Sequence, residues 1–321
     1  MELPAEDLDF FRRWLEGGSA ADMAPWLARA PERRADARTF LPDALGVISL
    51  GVSYSPGPVP PPPSVPSGRV ARYAWGEDYH DVIAHRVESF RDSLSREISG
   101  LVSRSAVDAQ PLLERAFARR AGLGFIGKNT NLIVPGAGSW MFLAELVVNV
   151  ALPFDPLTAQ GCGGCVKCLG SCPTGALNTP FALDSRRCVA YHTIENRGSV
   201  LTEIRPRLGP WLFGCDDCQD PCPFNARPLE SKWPEFSPER GAGPWLPLAE
   251  ILSLRGDASF RERFRGTPLL RAKRAGLVRN ACVVARNIGA VGELKPLLEE
   301  CREKDESPMV REHAAWALEP G

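Results

Sequence analysis

The chain has 321 residues, a formal net charge of −1 and 44% hydrophobic residues. This length and apolar content suffice for a buried core and for two or three domains. The near-neutral charge excludes a uniformly basic nucleic-acid-binding protein, although it permits a local basic patch. No run approaches the roughly 18 apolar residues of a membrane span, and no apolar signal segment follows the acidic N-terminus. We therefore expect a cytosolic protein with no membrane partner, in which ten cysteines favour metal ligands over disulfides.

The first elements along the chain are a strand, a loop and a long helix. The β-branched and apolar residues of segment 47–54 predict a strand. A proline-rich loop follows, with four consecutive prolines at 60–63, and it is incompatible with regular structure. Apolar residues then recur at helical spacing and predict a helix over 78–98.

A strand, a helix and a further strand complete the first part of the chain. A short strand is expected just before Asp108, and Pro111 suits the first turn of a helix that Gly122 would close. The apolar segment 143–150 predicts a buried strand. Together these elements indicate an N-terminal domain of helices and strands over residues 1–154.

The remaining chain divides by composition. Residues 155–230 are rich in Cys, Gly and Pro, as expected of a small domain organised by metal. Segment 231–243 is predicted to be a linker. Residues 244–321 are predicted to be helical, and residues 278–285 are echoed at 310–317, an offset of 32 residues. This spacing suits a stacked helix pair, with coincidence as the alternative.

The strongest motif in the sequence is a cysteine run. The spacing C-x2-C-x2-C-x3-C-P starts at Cys162, and in this spacing the fourth cysteine ligates the second of two clusters. A second run, C-x2-C-x3-C-P, starts at Cys215, and Cys188 supplies its missing cysteine upstream. Soft thiolates suit iron. Matching by order predicts two [4Fe–4S] clusters, one on Cys162, Cys165, Cys168 and Cys222 and the other on Cys172, Cys188, Cys215 and Cys218.

Zinc is the alternative for these cysteines, because C-x2-C pairs also build four-cysteine zinc sites. The combined spacing is not that of a zinc ribbon, so we favour iron–sulfur clusters. The other two cysteines, Cys282 and Cys301, fall on predicted helices and are expected to be ordinary apolar residues.

The order of several short motifs resembles one enzyme family. It runs A-W-G-E-D-Y-H at 74–80, V-D at 107–108, A-G-L-G-F-I-G-K-N at 121–129, then G-S-W and L-A-E within 138–145, the ferredoxin run, Arg187-Cys188, and G-C-D-D-C-Q at 214–219. In this order the chain resembles the epoxyqueuosine reductases, which complete the biosynthesis of queuosine in tRNA. The resemblance covers roughly residues 30–230, and the C-terminal repeat resembles the HEAT-like tail of that family.

The resemblance implies an α+β fold in three parts. These are an N-terminal α/β corrinoid-binding domain over 1–154, a bacterial-ferredoxin-like two-cluster domain over 155–230, and a HEAT-like α-helical domain over 244–321. It also implies a cytoplasmic, cobalamin-dependent enzyme with two [4Fe–4S] clusters. Such an enzyme would take electrons from an external donor and reduce epoxyqueuosine to queuosine at the wobble position of tRNA.

The resemblance also implies roles for single residues. Asp108, in the context V-D-A-Q-P, matches the family's proton donor. To give a proton it must be held neutral, most simply by desolvation beneath the corrinoid and near the apolar Val107. From the residues alone, Asp108 is as simply a cap for the helix that opens near Pro111. The corrinoid contacts that the resemblance implies are Arg34, Ala71, Asp108 and Asn131, with Cys215 and Asp216 close to the corrinoid.

Two motifs match the sequence patterns of cofactor-binding sites but lack other features that those sites require. The G-x-G-x-x-G run at 122–127 follows a predicted helix and precedes a predicted strand, the reverse of the dinucleotide-binding order, so NAD is not expected. Lys128 behind it could meet an anion or simply be solvated. Asp78 and His80 begin like the D-x-H-x-x-G run of cobalamin-dependent mutases, but the glycine is absent and a helix opens there. His80 is therefore not expected to be an axial ligand by that route.

Charge supports a nucleic-acid partner in the C-terminal part. Between residues 255 and 286 there are nine Lys or Arg and two acidic residues. This excess suits tRNA phosphates, with a solvated helical face as the alternative. Two rival functions remain at this point. A corrinoid reductive dehalogenase should carry an export signal and lack the basic tail, whereas a ferredoxin-type electron carrier would show no turnover.

Overall fold

The computed structural model describes residues 2–320 as a mixture of helices and strands. The α-helices are α1 (Ala5–Glu16), α2 (Ala24–Leu27), α3 (Pro31–Ala35), α4 (Tyr79–Glu97), α5 (Glu114–Arg120), α6 (Lys167–Ser171), α7 (Val189–Ile194), α8 (Leu248–Leu252), α9 (Gly256–Arg263), α10 (Lys273–Asn287), α11 (Val291–Lys304) and α12 (Pro308–Leu318). The strands are β1 (Gly46–Ser53), β2 (Ser67–Val70), β3 (Ser103–Ala106), β4 (Phe125–Ile126), β5 (Leu132–Ile133), β6 (Met141–Val148), β7 (Trp211–Phe213) and β8 (Trp245–Pro247).

A three-stranded sheet in the order β1-β6-β3 forms the centre of the N-terminal part. Both pairings are antiparallel, and Glu145 in the middle strand lies opposite Ser49 and Ala106. Alternate residues of β6 face opposite sides: Leu146 packs with α4, whereas Val147 packs with α5. The predicted α/β character is therefore correct in its mixture of elements, but this sheet is antiparallel and has no parallel strand pairs.

The predicted elements of the N-terminal part are confirmed with one shift. The strand predicted just before Asp108 is β3, and those predicted at 47–54 and 143–150 are β1 and β6. The helix predicted at 78–98 is α4. The helix expected from Pro111 begins only at Glu114, with Leu113 as its N-cap. The intervening residues form a turn, which Asp108 enters with a φ of +50°.

A second sheet, in the order β7-β2-β8, joins distant parts of the chain. Strand β2 pairs in parallel with β7 of the cysteine-rich part and antiparallel with β8 of the C-terminal part. Segment 231–243 is packed rather than a free linker, because Phe236 is buried and a Cβ at Gly241 would lie 2.1 Å from the carbonyl oxygen of Gly76. The boundaries 1–154, 155–230 and 244–321 stay predictions, and one apolar core crosses from β2 and β7 into the last helices.

The C-terminal helices α10, α11 and α12 pack against one another. The two copies of the sequence repeat fall on α10 and α12, with α11 between them. Helix α10 is buried along most of its length and also packs on β7, so it ties this part to the cysteine-rich part. Within residues 2–320, no helix combines the length and apolar character required to cross a membrane.

Candidate functional site

Four cysteines line one cavity of about 210 Å³. They are Cys162, Cys165, Cys168 and Cys222, the set that the spacing predicts for one cluster. The short helix α6 carries Cys168, and a turn of 3₁₀ helix begins directly after Cys222, so that Pro223 ends the run. The structure thus brings together residues that lie up to 60 positions apart in the chain.

The segment after G-x-G-x-x-G packs on the cysteine loops. The backbone N–H of Lys128 donates to Sγ of Cys162 at 3.4 Å, and its Nζ donates to the carbonyl oxygen of Gly163 at 2.7 Å. The side chain of Asn129 donates to the carbonyl oxygen of Cys218 at 3.1 Å. Lys128 is therefore a support for the cysteine loop. Sequence reasoning missed this role, although the segment stood among the family motifs.

The other four predicted ligands also lie near one another, because neighbouring thiols of this set shift the pKa values of Cys215 and Cys218. Burial raises the pKa of Cys218 well above its usual value, and the neighbouring Cys188 and Cys172 raise it further. Burial likewise raises the pKa of Cys215, with Cys218 and Cys188 among its neighbours. Among residues 2–320, no three His, Cys, Asp or Glu side chains lie close enough together to hold a single metal ion.

Asp108 sits at a junction of three polar side chains. The hydroxyl of Tyr79 donates to Oδ2 of Asp108, and Nε2 of His80 lies 3.6 Å from the same oxygen. Asp78 caps α4 by accepting from the backbone N–H of His80 at 3.1 Å, and its Oδ1 also lies 2.8 Å from Nδ1 of that ring. The ring of Tyr79 stacks on Phe142 at 4.2 Å, which fixes its hydroxyl. The alternative role of Asp108 as a helix cap is wrong, since Leu113 occupies that position.

The proton of this group rests on the histidine. Hydrogen bonds that the His80 ring donates to Asp108 and Asp78 raise the pKa of His80 to about 9. The hydrogen bond from His80, with the one from Tyr79, lowers the pKa of Asp108. At neutral pH Asp108 is therefore ionised beside an imidazolium. The expectation that desolvation beneath a corrinoid holds Asp108 neutral stays a prediction, and without a bound group the donors around the carboxylate favour its ionised form.

Tyr73 lies between this group and the second cysteine set. Its ring centroid is 6.2 Å from that of Tyr79, and a Cβ added to Gly214, the residue before Cys215, would lie 3.4 Å from the Tyr73 ring. The next residue, Asp216, accepts from the backbone N–H of Arg72 at 2.9 Å, and burial raises its pKa to about 7. The segment after β2 therefore connects the Asp108 group to the cysteine loop.

The remaining predicted corrinoid contacts lie around the same region in different ways. The carbonyl oxygen of Arg34 accepts from the backbone N–H of Leu113, while its guanidinium donates to carbonyls at the end of α2. Ala71 is buried, and a Cβ at Gly214 would lie 2.5 Å from its Cβ. Asn131 is half-buried in the turn between β4 and β5. Their assignment to a corrinoid stays a prediction.

The nine basic residues of 255–286 do not form one surface. Arg274 and Arg279 are buried, the first in an ion pair with Asp305 at 2.9 Å. Arg271 is exposed and makes a two-pronged ion pair with Glu195. Arg255 and Arg263 pair with carboxylates, and Arg286 donates to backbone carbonyls. Of these nine, Arg261, Arg265 and Lys273 are exposed and form no ion pair with another residue of 2–320.

Two family models match the chain. The model described as epoxyqueuosine reductase QueG, DUF1730, matches residues 34–109, which include Asp108 and the first turn of α4. The model described as a 4Fe–4S double cluster binding domain matches residues 161–225, which include the eight cysteines of the two sets.

Characterised relatives match over most of their length. An epoxyqueuosine reductase from Synechococcus sp. (strain CC9605) is 44% identical over 266 residues, which cover 82% of this chain and 80% of the relative. An epoxyqueuosine reductase from Bacillus subtilis, solved with its catalytic aspartate loop swung out of the active site, is 29% identical with a TM-score of 0.89, covering 99% of this chain and 83% of that one. An epoxyqueuosine reductase solved with an epoxyqueuosine-modified tRNA-Tyr stem loop is 30% identical with a TM-score of 0.90 and the same coverage. This chain belongs to the epoxyqueuosine reductase family and is an oxidoreductase.

Proposed function

We propose that this protein reduces epoxyqueuosine to queuosine at the wobble position of tRNA, with cobalamin and two [4Fe–4S] clusters. The observation that carries the proposal is the approach of the Tyr79–His80–Asp108 group to the loop of Cys215 across the Tyr73 ring. A proton-delivering group and a cysteine-rich electron path thus border one cleft. The relative solved with an epoxyqueuosine-modified stem loop supports the choice of substrate.

The two cysteine sets fit [4Fe–4S] clusters by the chemistry of their donors. Each set provides four thiols and no nitrogen or carboxylate donor, as cubane clusters require. In this assignment Cys172 and Cys222 cross over, so that each run of the chain contributes to both clusters. The clusters, when bound, supply electrons one at a time, drawn from an external donor.

The exposed face of Asp108 is where we place the corrinoid. The Asp108 side chain is 57% exposed although its carboxylate is held on one side, so an open face remains for a bound group. Gly214 lets the Cys215 loop approach Ala71, because a Cβ at Gly214 would lie 2.5 Å from the Ala71 Cβ. Cobalamin, when bound, supplies a cobalt centre that can transfer two electrons to a carbon atom. We assign Arg34, Ala71, Asp108, Asn131, Cys215 and Asp216 to its surroundings.

The residues of the Asp108 group deliver protons to the substrate. Removing the epoxide oxygen as water and forming the carbon–carbon double bond consumes two electrons and two protons. His80 carries a proton at neutral pH, and Asp108, 3.6 Å away, is the exposed member that can pass it to the substrate oxygen. Tyr79 orients the carboxylate from the buried side.

The tRNA would approach over the C-terminal part. Arg261, Arg265 and Lys273 are exposed and free to meet phosphates, and Arg271 lies on the side of the cleft that Glu195 borders. We assign α10 to α12 to a HEAT-like unit that carries this surface, in a cytoplasmic enzyme. A reductive dehalogenase is the weaker reading, since the family matches point to tRNA modification.

Reconstitution tests the cofactor assignment directly. The protein, purified without oxygen and supplied with iron, sulfide and cobalamin, should hold about eight iron atoms and one cobalt per chain. Its visible spectrum should change when cobalamin binds, and dithionite should reduce both kinds of centre. Four iron atoms, or a cobalamin spectrum identical to that of the free cofactor, would contradict the proposal.

A further inference from the structure

A carboxyl group is buried in the middle of the central sheet. Glu145 on β6 is 0% exposed, and neither of its side-chain oxygens receives a hydrogen bond from a donor in residues 2–320. The hydroxyl of Ser49, its partner on β1, also lacks a hydrogen bond among these residues. Buried polar atoms normally find partners, so a carboxyl in this position calls for an explanation.

The nearest group to this carboxyl belongs to the Asp108 turn. Glu114, the first residue of α5, lies close enough to Glu145 for its carboxyl to raise the pKa of the Glu145 carboxyl. The Oε1 atom of Glu114 accepts from the backbone N–H of Asp108 at 2.6 Å. Glu114 therefore lies between the buried carboxyl of the sheet and the Asp108 turn.

Two ionised carboxylates in contact and out of water would repel each other strongly, so the pair is stable only with a shared proton. Burial raises the pKa of Glu145 well above its usual value and raises that of Glu114 to about 8, and the charge of Asp108 adds to both. The other charged groups around Glu114 are His80 from α4 and Arg115 from α5. Their positive charge stabilises the doubly ionised pair that remains after the proton has left.

We propose that the Glu114–Glu145 pair stores the second proton of the reaction and returns it to Asp108. This inference rests on the proposed function, in which Asp108 delivers protons to the epoxide oxygen. The reaction consumes two protons, and the His80–Asp108 couple holds one. The second passes from the pair to the Asp108 carboxylate and leaves with the oxygen as water, while the two electrons come through the enzyme's redox centres. The pair, left with two negative charges, then takes a proton from solvent.

An experiment can separate two roles of the pair. It can store a proton for the reaction, and it can stabilise the packing of α5 on β6. Glu145→Gln keeps the size of the side chain and can still donate an N–H to Glu114, but it carries no acidic proton. Glu114→Gln interrupts the same link at its other end. Glu88→Gln is the matched control, because Glu88 is half-buried, faces the same sheet from α4 and bonds to Ser105 rather than to the Asp108 turn.

The first readout needs no turnover. Infrared spectra of the parent protein at pH 7 should contain the C=O stretch of protonated carboxylic acids, which should weaken in Glu145→Gln and keep its parent intensity in Glu88→Gln. The second readout is single-turnover reduction of epoxyqueuosine in tRNA by prereduced enzyme between pH 6 and 9. Glu145→Gln and Glu114→Gln should be slower by about 10² at pH 8, and the deficit should shrink about tenfold for each pH unit of acidification, because the proton then comes from solvent.

A deficit that stays constant with pH would show a structural role and overturn the inference, as would parent rates or an unchanged acid band in Glu145→Gln. If Glu145→Gln does not fold, Glu114→Gln decides by the same pH signature. Asp108→Asn, measured alongside, distinguishes failure of the proton store from failure of the proton-delivery role of Asp108. An inactive Asp108→Asn with parent rates in both glutamine variants overturns only the proton store, whereas a fully active Asp108→Asn overturns the delivery role on which it rests.

Discussion

The Nε2 atom of His80 lies 3.6 Å from Oδ2 of Asp108, and Asp78 holds the opposite nitrogen of the ring at 2.8 Å. The imidazole is thus fixed between two carboxylates, which is why its pKa rises to about 9. Because the ring carries the proton, Asp108 can remain ionised and exposed at neutral pH and still act as the last group in proton delivery. At neutral pH, His80 therefore holds the proton and Asp108 passes it on.

Replacing His80 by Gln should remove a pH-dependent stabilisation. The pKa of His80 is raised from 6.5, so its contribution is fully present below pH 6.5 and is lost as pH rises through about 9. The pKa of Asp108 is lowered from 3.8, so its own contribution is lost as pH falls below that value. Thermal unfolding of parent and His80→Gln should therefore differ most between about pH 4 and 6.5 and converge above about pH 9. His85→Gln, on the exposed face of the same helix, is the control, and an equal effect there would refute the pairing.

The crossover of the cysteine runs predicts which variants damage the same cluster. Cys172→Ala and Cys215→Ala should both impair one cluster, and Cys222→Ala should impair the other. Electron paramagnetic resonance of the reduced variants, with iron analysis, distinguishes the two signals. Cys282→Ala, in the buried face of α10, should retain both. The assignment fails if Cys172→Ala and Cys162→Ala leave the same signal intact.

Arg279 should be essential for the folded state rather than for tRNA. Its buried guanidinium donates to the carbonyl oxygens of His192, Asn196 and Gly198, and so joins α10 to the cysteine-rich part. Arg279→Met leaves these acceptors unpaired, which should cost about 3 kcal/mol or more of unfolding free energy. The variant should melt at lower temperature and lose iron more readily. A variant that melts like the parent but binds tRNA weakly would contradict this role.

The exposed basic residues should act on tRNA alone. Arg265→Ala and Lys273→Ala should each lower affinity for a tRNA stem loop and reduce the slope of log affinity against log salt concentration by about 1. Melting temperature and iron content should stay at parent values. Removal of residues 244–321 would not be an equivalent test, because it would expose the core shared by β2, β7 and α10. An unchanged salt slope in both variants would place the phosphates elsewhere.

The iron–sulfur site was accessible from the sequence because its signal is local. Seven of its eight cysteines lie in two short runs, and the spacing predicts the one set of four that lines a common cavity. Helix α4 and strands β1 and β6 were equally predictable, since their periodicities are strong. The late start of α5 was not, because Pro111 marks a turn as readily as a first helical turn.

The polar group around Asp108 required the fold. Tyr79 and His80 lie 29 and 28 residues from Asp108, and only the packing of α4 against β3 and β6 brings them to its carboxylate. Glu145 was visible only as part of a family motif, since no local pattern indicates that an acid sits in the middle of a sheet. For the basic residues of 255–286 the error was the opposite one, because the sequence suggested a single exposed surface and part of the cluster is buried. Arg274 and Arg279 resemble surface residues in composition, yet their guanidinium groups are buried against a carboxylate and against backbone carbonyls.

The rate of a single turnover in Asp108→Asn tests the central claim most directly. Asparagine keeps the size of the side chain but cannot relay a proton, so the variant should still bind both clusters, cobalamin and tRNA. Chemically reduced enzyme is mixed with tRNA that carries epoxyqueuosine, and the nucleosides are analysed for queuosine, which excludes a defect in electron supply. The account predicts a rate lower than that of the parent by about 10²–10⁴. A parent rate would reduce Asp108 to a positioning group, and loss of cobalamin from the variant would assign Asp108 to binding and place the source of the proton elsewhere.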